Sequence, residues 1–146
     1  MNPTPPIVID TNIVLDLFVF NDAATPPLKA RLAAGGLDWL ATVPMRDELT
    51  RVLAYPQIVP RLAFYQLSAE CVLATFDQHT RVVDVAPKAS VTCSDADDQK
   101  FIDLAVAHRA RLLSKDKAVL AMTRRLQTLG VRVGCVLETV KIQPGS

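Results

Sequence analysis

Pro6-Ile7-Val8-Ile9-Asp10-Thr11-Asn12 is a short apolar run that stops abruptly at an acid. Pro5 and Pro6 favour an extended entry, and Ile7, Val8 and Ile9 are β-branched, the composition of a buried strand. Beyond Asp10, apolar residues from Ile13 to Phe20 form an amphipathic, helix-like segment. In an open α/β sheet the carboxyl ends of parallel strands face the crevice where ligands bind, so an acid at such a handover is placed for chemistry. Asp10 is therefore the first candidate site residue.

The 146 residues suit one domain with a substantial core. We expect a single domain over 1–146, its core spanning about 7–140 between short tails, 1–6 and 141–146. Half the residues are hydrophobic and only 5% aromatic, and the apolar stretches are short. None approaches the roughly 18 residues that a membrane span requires. The Pro-rich, uncharged start, Met1 to Pro6, has the character of neither a secretory signal nor a transit peptide, and a cytoplasmic location is expected. Cys71, Cys93 and Cys135 are widely spaced with no CxxC pairing, and His79 and His108 form no HxxxH pattern. Disulfide frameworks, zinc knuckles and histidine-based metal sites are poorly supported. The net charge of +1 neither demands nor excludes nucleic acid, since a basic rim can border an acidic pocket.

Further along, Thr25-Pro26-Pro27 opens a helix to Ala34, closed by Gly35-Gly36. Asp38 to Val43 reads as a second strand and Pro44 to about Tyr55 as its following helix. Gln57 to Thr80 predicts two helices, one with Pro60 in its first turn and one capped by Ser68. Arg81 to Val85 is a strand, Ala89 to Asp97 a polar loop and Asp98 to Arg109 a helix. Arg111 to Ser114, a helix from Asp116 to Leu129 closed by Gly130, and a last strand from Val131 to Val136 complete the pattern. Strands alternating with helices imply parallel pairing through right-handed crossovers, hence a three-layer α/β/α sandwich around about five strands.

On that scheme Asp10 follows strand one, Glu48 lies in the first turns after strand two, Asp98 opens the helix after strand three, and Asp116 follows strand four. All such junctions share one edge of a parallel sheet, so acids distant in sequence converge. Singly, Asp10, Asp98 and Asp116 are well suited to cap helices. Glu48 and Asp98, however, lie along apolar stripes, where a carboxylate must be neutralised by a proton, a partner or a metal. Arg51, three residues beyond Glu48, is its nearest helical partner; Asp98 has no Lys or Arg three or four residues away. An all-oxygen cluster suits Mg²⁺ or Mn²⁺, and such ions serve phosphodiester hydrolysis.

The ordered set Val8-Ile9-Asp10-Thr11-Asn12, Arg46-Asp47-Glu48-Leu49, Asp97-Asp98 through Leu104-Ala105, and Leu112-Leu113-Ser114-Lys115-Asp116 resembles the PIN domain. The likeness is greatest to bacterial VapC-type toxin nucleases and spans about Ile7 to Val140. It implies a Mg²⁺- or Mn²⁺-dependent endoribonuclease with Asp10, Glu48, Asp98 and Asp116 as metal-binding acids and Asn12 and Ser114 as polar supports. It also implies an RNA substrate, a cognate antitoxin protein and a homodimer. Two departures stand out. Position 115, often Gly or Arg in the family, is Lys, and the Asp95-Asp97-Asp98 cluster leaves the third acid open among its members, with Asp98 fitting best. Asp103 is a reserve ligand expected to face solvent. Within this reading Asp10 and Asp116 hold the principal ion, Asp98 shares it or a second ion, and Glu48 orients or deprotonates water. Arg46, Lys115 and Lys117 are candidate phosphate contacts, alongside Arg51 and Arg124-Arg125.

Two other readings compete. One is a catalytically silent PIN-like module that binds RNA or protein, against which the retention of four acids weighs. The other is a haloacid dehalogenase-type phosphatase, whose DxDxT pattern needs an acid where this chain has Asn12.

Overall fold

The structure, a computed structural model, describes residues 5–20 and 26–135. The helix boundary expected at Asn21-Asp22, the helix start at Thr25, the end of the last strand at Val136, the core's expected limit near Val140 and the tail from Lys141 lie outside the described residues. Five strands form one parallel sheet: β1 (Pro6–Ile9), β2 (Asp38–Ala41), β3 (Thr80–Val82), β4 (Arg111–Leu113) and β5 (Val133–Gly134). Their order is β3-β2-β1-β4-β5. The helices are α1 (Thr11–Leu15), α2 (Pro26–Ala33), α3 (Val43–Leu53), α4 (Val59–Phe64), α5 (Ala69–His79), α6 (Gln99–His108), α7 (Lys117–Leu120) and α8 (Thr123–Thr128). Helices flank the sheet on both faces, giving the three-layer α/β/α sandwich.

The centre of the sheet falls where the sequence is most apolar. Ile7 and Val8 are fully buried in β1, as is Leu112 in β4, and each β1 residue from Ile7 to Ile9 pairs with β4. From β1 the chain steps outward to β2 and β3, then returns past β2 and β1 to β4 on the far side of β1. Right-handed crossovers therefore place α1 to α5 in one layer and α6 to α8 in the other. In agreement, α3 packs on α1 and α5, while α6 packs on β1 and β4. Reversal of strand order between β1 and β4 creates a switch point, and the crevice at its carboxyl edge is where such sheets bind ligands. Trp39, on β2, fills the first layer's core with Phe18 and an edge-on Phe76, ring centroids 5.8 and 5.2 Å away. Leu112→Ala is expected to cost about 2–5 kcal/mol through lost burial and the cavity left in a close-packed centre, measurable by urea unfolding.

Several boundaries differ from the expected ones. The helix from Thr11 ends its α-helical part at Leu15 and continues as a π-helical turn, Asp16–Phe20, a difference of winding that five residues of apolar periodicity do not resolve. The single helix expected from Asp116 to Leu129 is two, α7 and α8. Between them the Thr123 hydroxyl donates to the Leu120 carbonyl at 2.6 Å, drawing it away from the helical ladder. Strand β3 begins directly after α5 and stops at Val82, and β5 has two residues. No helix of the described residues is long and apolar enough to cross a membrane.

Candidate active site

Asp10 ends β1 at the switch point. Its backbone N–H donates to the Leu113 carbonyl of β4 at 2.9 Å, fixing the junction to the neighbouring strand. One carboxylate oxygen caps α1 by accepting the Asn12 N–H at 3.1 Å, and the other accepts the Ser114 hydroxyl at 2.6 Å. Asn12 thus supports Asp10 through its backbone, its own side chain being exposed. Ser114, fully buried beyond β4, also accepts the Asp116 N–H at 3.0 Å, so one hydroxyl ties the first acid to the last. Asp116 caps α7 through the Ala118 N–H at 2.8 Å. Capping and site placement are compatible here: each cap uses one oxygen and aims the carboxylate at the sheet edge. Ser114→Ala leaves a buried carboxylate and an amide each short of a partner. The expected cost is about 1–3 kcal/mol, read as a lower urea midpoint with an unchanged slope.

Asp98 reaches the same edge from the other layer. It closes a 3₁₀ turn, Ala96–Asp98, that enters α6; Asp95 caps this turn by accepting the Asp97 N–H at 3.0 Å. Carboxylate oxygens of Asp95, Asp98 and Asp116 all lie within 4.8 Å of one another. Asp98 is buried, and its Oδ2 has no hydrogen-bond partner among the described residues. Burial, with the adjoining carboxyl of Asp116 and the charges of Asp10 and Asp95, pushes its carboxyl up to about 8. Asp10 is also raised, chiefly by burial and further by Glu48 and Asp116, against the opposing bonds from Ser114 and Asn12. A buried, unpaired oxygen among convergent acids is an energetic liability unless a proton or cation fills the space. Oxygens gathered within 4.8 Å of one another are close enough to be shared by one divalent ion. With oxygen donors alone, the residues fit a hard cation.

Glu48 stands at the rim, on α3, where it accepts the Thr11 hydroxyl and the Lys100 ammonium, the latter at 2.5 Å. Lys100, rather than Arg51, is its cation, and it also donates to the Asp97 carbonyl at 2.6 Å. The clamp joins α3 of one layer to the acidic turn of the other, and sequence reasoning missed it because the partners are 52 residues apart. Asp10 and Glu48 stand outside the Asp95-Asp98-Asp116 trio but within electrostatic reach of each other. Asp95 therefore joins Asp98 instead of replacing it, while Asp97 contributes backbone groups to the turn. Asp103 does not simply face solvent: half-buried, it accepts the Ala89 N–H and the Gln99 amide at 2.8 and 2.7 Å, holding the loop that leads to Asp95.

The expected phosphate contacts separate. Arg46 forms a two-pronged pair with Asp77 of α5, at 2.7 and 2.8 Å, and Lys115 pairs with the buried Asp16 at 2.5 Å. Lys117 is exposed, one residue beyond Asp116.

A family model described as PIN domain matches residues 6–118, a span that takes in all five acids of the edge. Five chains of known structure match the fold. One is that of VapBC2 from Rickettsia felis bound to a DNA fragment from their promoter; the alignment covers 88% of this chain and 98% of that one, with a TM-score of 0.57 and 12% identity. Comparison with curated proteins gives no significant match. Sequence model and switch-point geometry agree, and the chain belongs to the PIN domain family.

Proposed function

We propose that this protein is a Mg²⁺- or Mn²⁺-dependent endoribonuclease that hydrolyses RNA phosphodiester bonds at the acidic edge between β1 and β4. The observation that carries this reading is the buried Asp98 Oδ2, without a hydrogen-bond partner among the described residues, within the trio at the switch point. Asp95, Asp98 and Asp116 would hold the cation, and Asp10, fixed by Ser114, adds negative charge beneath them. A divalent ion held there supplies charge neutralisation at the scissile phosphate and a more acidic attacking water. Glu48, held at the rim by Thr11 and Lys100, would be the residue to orient the attacking water or accept its proton. Lys117 is the cation next to the trio available to steady a phosphate oxygen.

We further propose that the chain is one domain and is the toxin of a toxin-antitoxin pair, acting in the cytoplasm as a homodimer. Family membership and the likeness to a VapBC2 complex support this. Incubation of labelled single-stranded RNA, with a DNA strand of the same sequence alongside, tests the activity. Cleavage of RNA in Mg²⁺ or Mn²⁺, lost in EDTA and in Asp10→Asn, is the expected result. Metal binding without cleavage of RNA would overturn the catalytic reading in favour of a silent binding module.

A further inference from the structure

The two helical layers differ in surface chemistry. Between residues 100 and 135 the sequence has eight Lys or Arg against two acids, Asp103 and Asp116, although the whole chain carries only +1. Lys117 on α7, Arg124 and Arg125 on α8, and Arg132 before β5 are exposed. Among the described residues no ion pair ties any of these four to an acid. Among the described residues the large exposed apolar side chains, Val43, Tyr55, Val59, Phe64, Tyr65, Val82 and Val85, all lie between 43 and 85. Along the α7–α8 flank, an open cavity of about 340 Å³ is lined by Thr123, Gln127, Gly130, Val131, Arg132 and Val133. Its size lies at the small end of the roughly 300–1,000 Å³ typical of ligand pockets.

We infer that the α7–α8 flank is a track for single-stranded RNA leading away from the acidic edge, with the cavity beside β5 receiving one nucleotide. The inference rests on the nuclease reading and adds to it the path of the substrate. Lys117 follows the trio by a single residue, so the track begins at the site itself. At 1.5 Å per residue α7 (Lys117–Leu120) is about 6 Å long and α8 (Thr123–Thr128) about 9 Å, so the flank offers a surface on the scale of a few nucleotides. Arg124 and Gln127, three apart on α8, share a face beside the cavity, joining a phosphate-binding cation to an amide able to bond a base edge. Gly130 shapes the cavity floor: its φ of +85° is one that side chains rarely adopt, and an added Cβ would lie 3.4 Å from the Arg109 side chain. Arginines with no ion-pair partner among the described residues, on a flank whose described residues include none of the large exposed apolar side chains, suit a polyanionic backbone better than a protein partner, whose interfaces centre on apolar and aromatic anchors.

Binding of a fluorescein-labelled 20-nucleotide RNA, measured by anisotropy from 50 to 300 mM KCl in EDTA, tests the track without requiring cleavage. The triple variant Arg124→Ala/Arg125→Ala/Arg132→Ala is expected to bind roughly 10- to 100-fold more weakly at 100 mM salt. The slope of log affinity against log salt should fall by about 2, or ~0.7 per lost phosphate contact. Replacing the same three residues by Lys should retain the slope, while unchanged melting temperatures for both variants show that folding is intact. Equal affinity and slope for wild type and the Ala variant would overturn the track. So would a wild type that ignores RNA but binds a poly-glutamate peptide through these arginines. If wild type binds RNA on the track yet never cuts it with Mg²⁺ or Mn²⁺, the nuclease reading fails and the track stands.

Discussion

Asp98→Asn is expected to reduce metal-dependent RNA cleavage by about 10²- to 10³-fold, and at the same time to raise the melting temperature of the metal-free protein at pH 8–9. The first effect follows from removing a charged group from the site that must hold the cation, a loss comparable with deleting one transition-state-stabilising donor. The second follows from linkage. Burial and the neighbouring acids hold the Asp98 carboxyl at about 8 in the folded protein, against 3.8 as its ordinary value. A raised folded value means that the native state binds the proton more tightly than the unfolded chain does. The associated stability is complete below about pH 4 and is lost as pH rises through about 8. Wild type in EDTA should therefore lose stability progressively between about pH 4 and about pH 8 and level off above. Asn cannot ionise, so the variant should lack most of that decline, the residue of it belonging to Asp10, which burial also raises. Thermal unfolding in EDTA at several pH values, paired with the cleavage assay, measures both effects. Parallel pH profiles for the two proteins would show that Asp98 does not carry the proton.

Interactions close in sequence were legible; those across long separations were not. Ile7, Val8 and Ile9 could be assigned to a buried strand because β-branched residues ending at an acid leave few alternatives, and the alternation of strands and helices implied the parallel sandwich. Convergence of Asp10, Asp98 and Asp116 followed from topology alone, since every strand end in a parallel sheet faces the same edge. Partners for these acids did not follow. Periodicity along α3 pointed Glu48 to Arg51, three residues away, whereas its cation arrives from the first turn of α6. Lys115 likewise read as a phosphate contact, yet the π-helical turn presents Asp16 to it. One signal in the sequence could have pointed to Lys100: it lies two residues beyond Asp98, on the turn that had to meet the α3 edge.

The order of strands also explains why the site uses both layers. β1 and β4 are neighbours in space but separated in the chain by 101 intervening residues, 10–110, and the intervening chain builds the whole of the first layer before α6 crosses to the second. Asp10 and Glu48 consequently come from segments leading into the first layer, and Asp95, Asp98 and Asp116 from segments leading into the second. The Glu48–Lys100 pair and the Ser114 hydroxyl bridge these two sets. Geometry at the edge thus depends on contacts that close late in the chain, which is why no single local motif specifies it.

Metal uptake is expected to be a proton-releasing step. A carboxyl that is mostly protonated at pH 7 must ionise before both its oxygens can serve a cation, so binding of Mn²⁺ or Mg²⁺ at that pH should expel close to one proton from Asp98. Below about pH 8 the apparent affinity should rise by about tenfold per pH unit, and it should level off above. Titration calorimetry at pH 7 in buffers of different ionisation enthalpy reads the proton count directly, and a repeat at pH 9 should find it near zero. Stability responds through the same equilibrium: at a free-ion concentration 100 times the dissociation constant, the folded state gains about 2.7 kcal/mol. For a chain of this size that is a rise in melting temperature of roughly 5–10 °C, abolished by EDTA. Asp98→Asn should bind weakly and release no proton, whereas Asp103→Asn, altered in the loop support beside the site, should release it as wild type does. Tight binding with no proton release at pH 7 would place the cation away from Asp98, and with it the centre of the proposed chemistry.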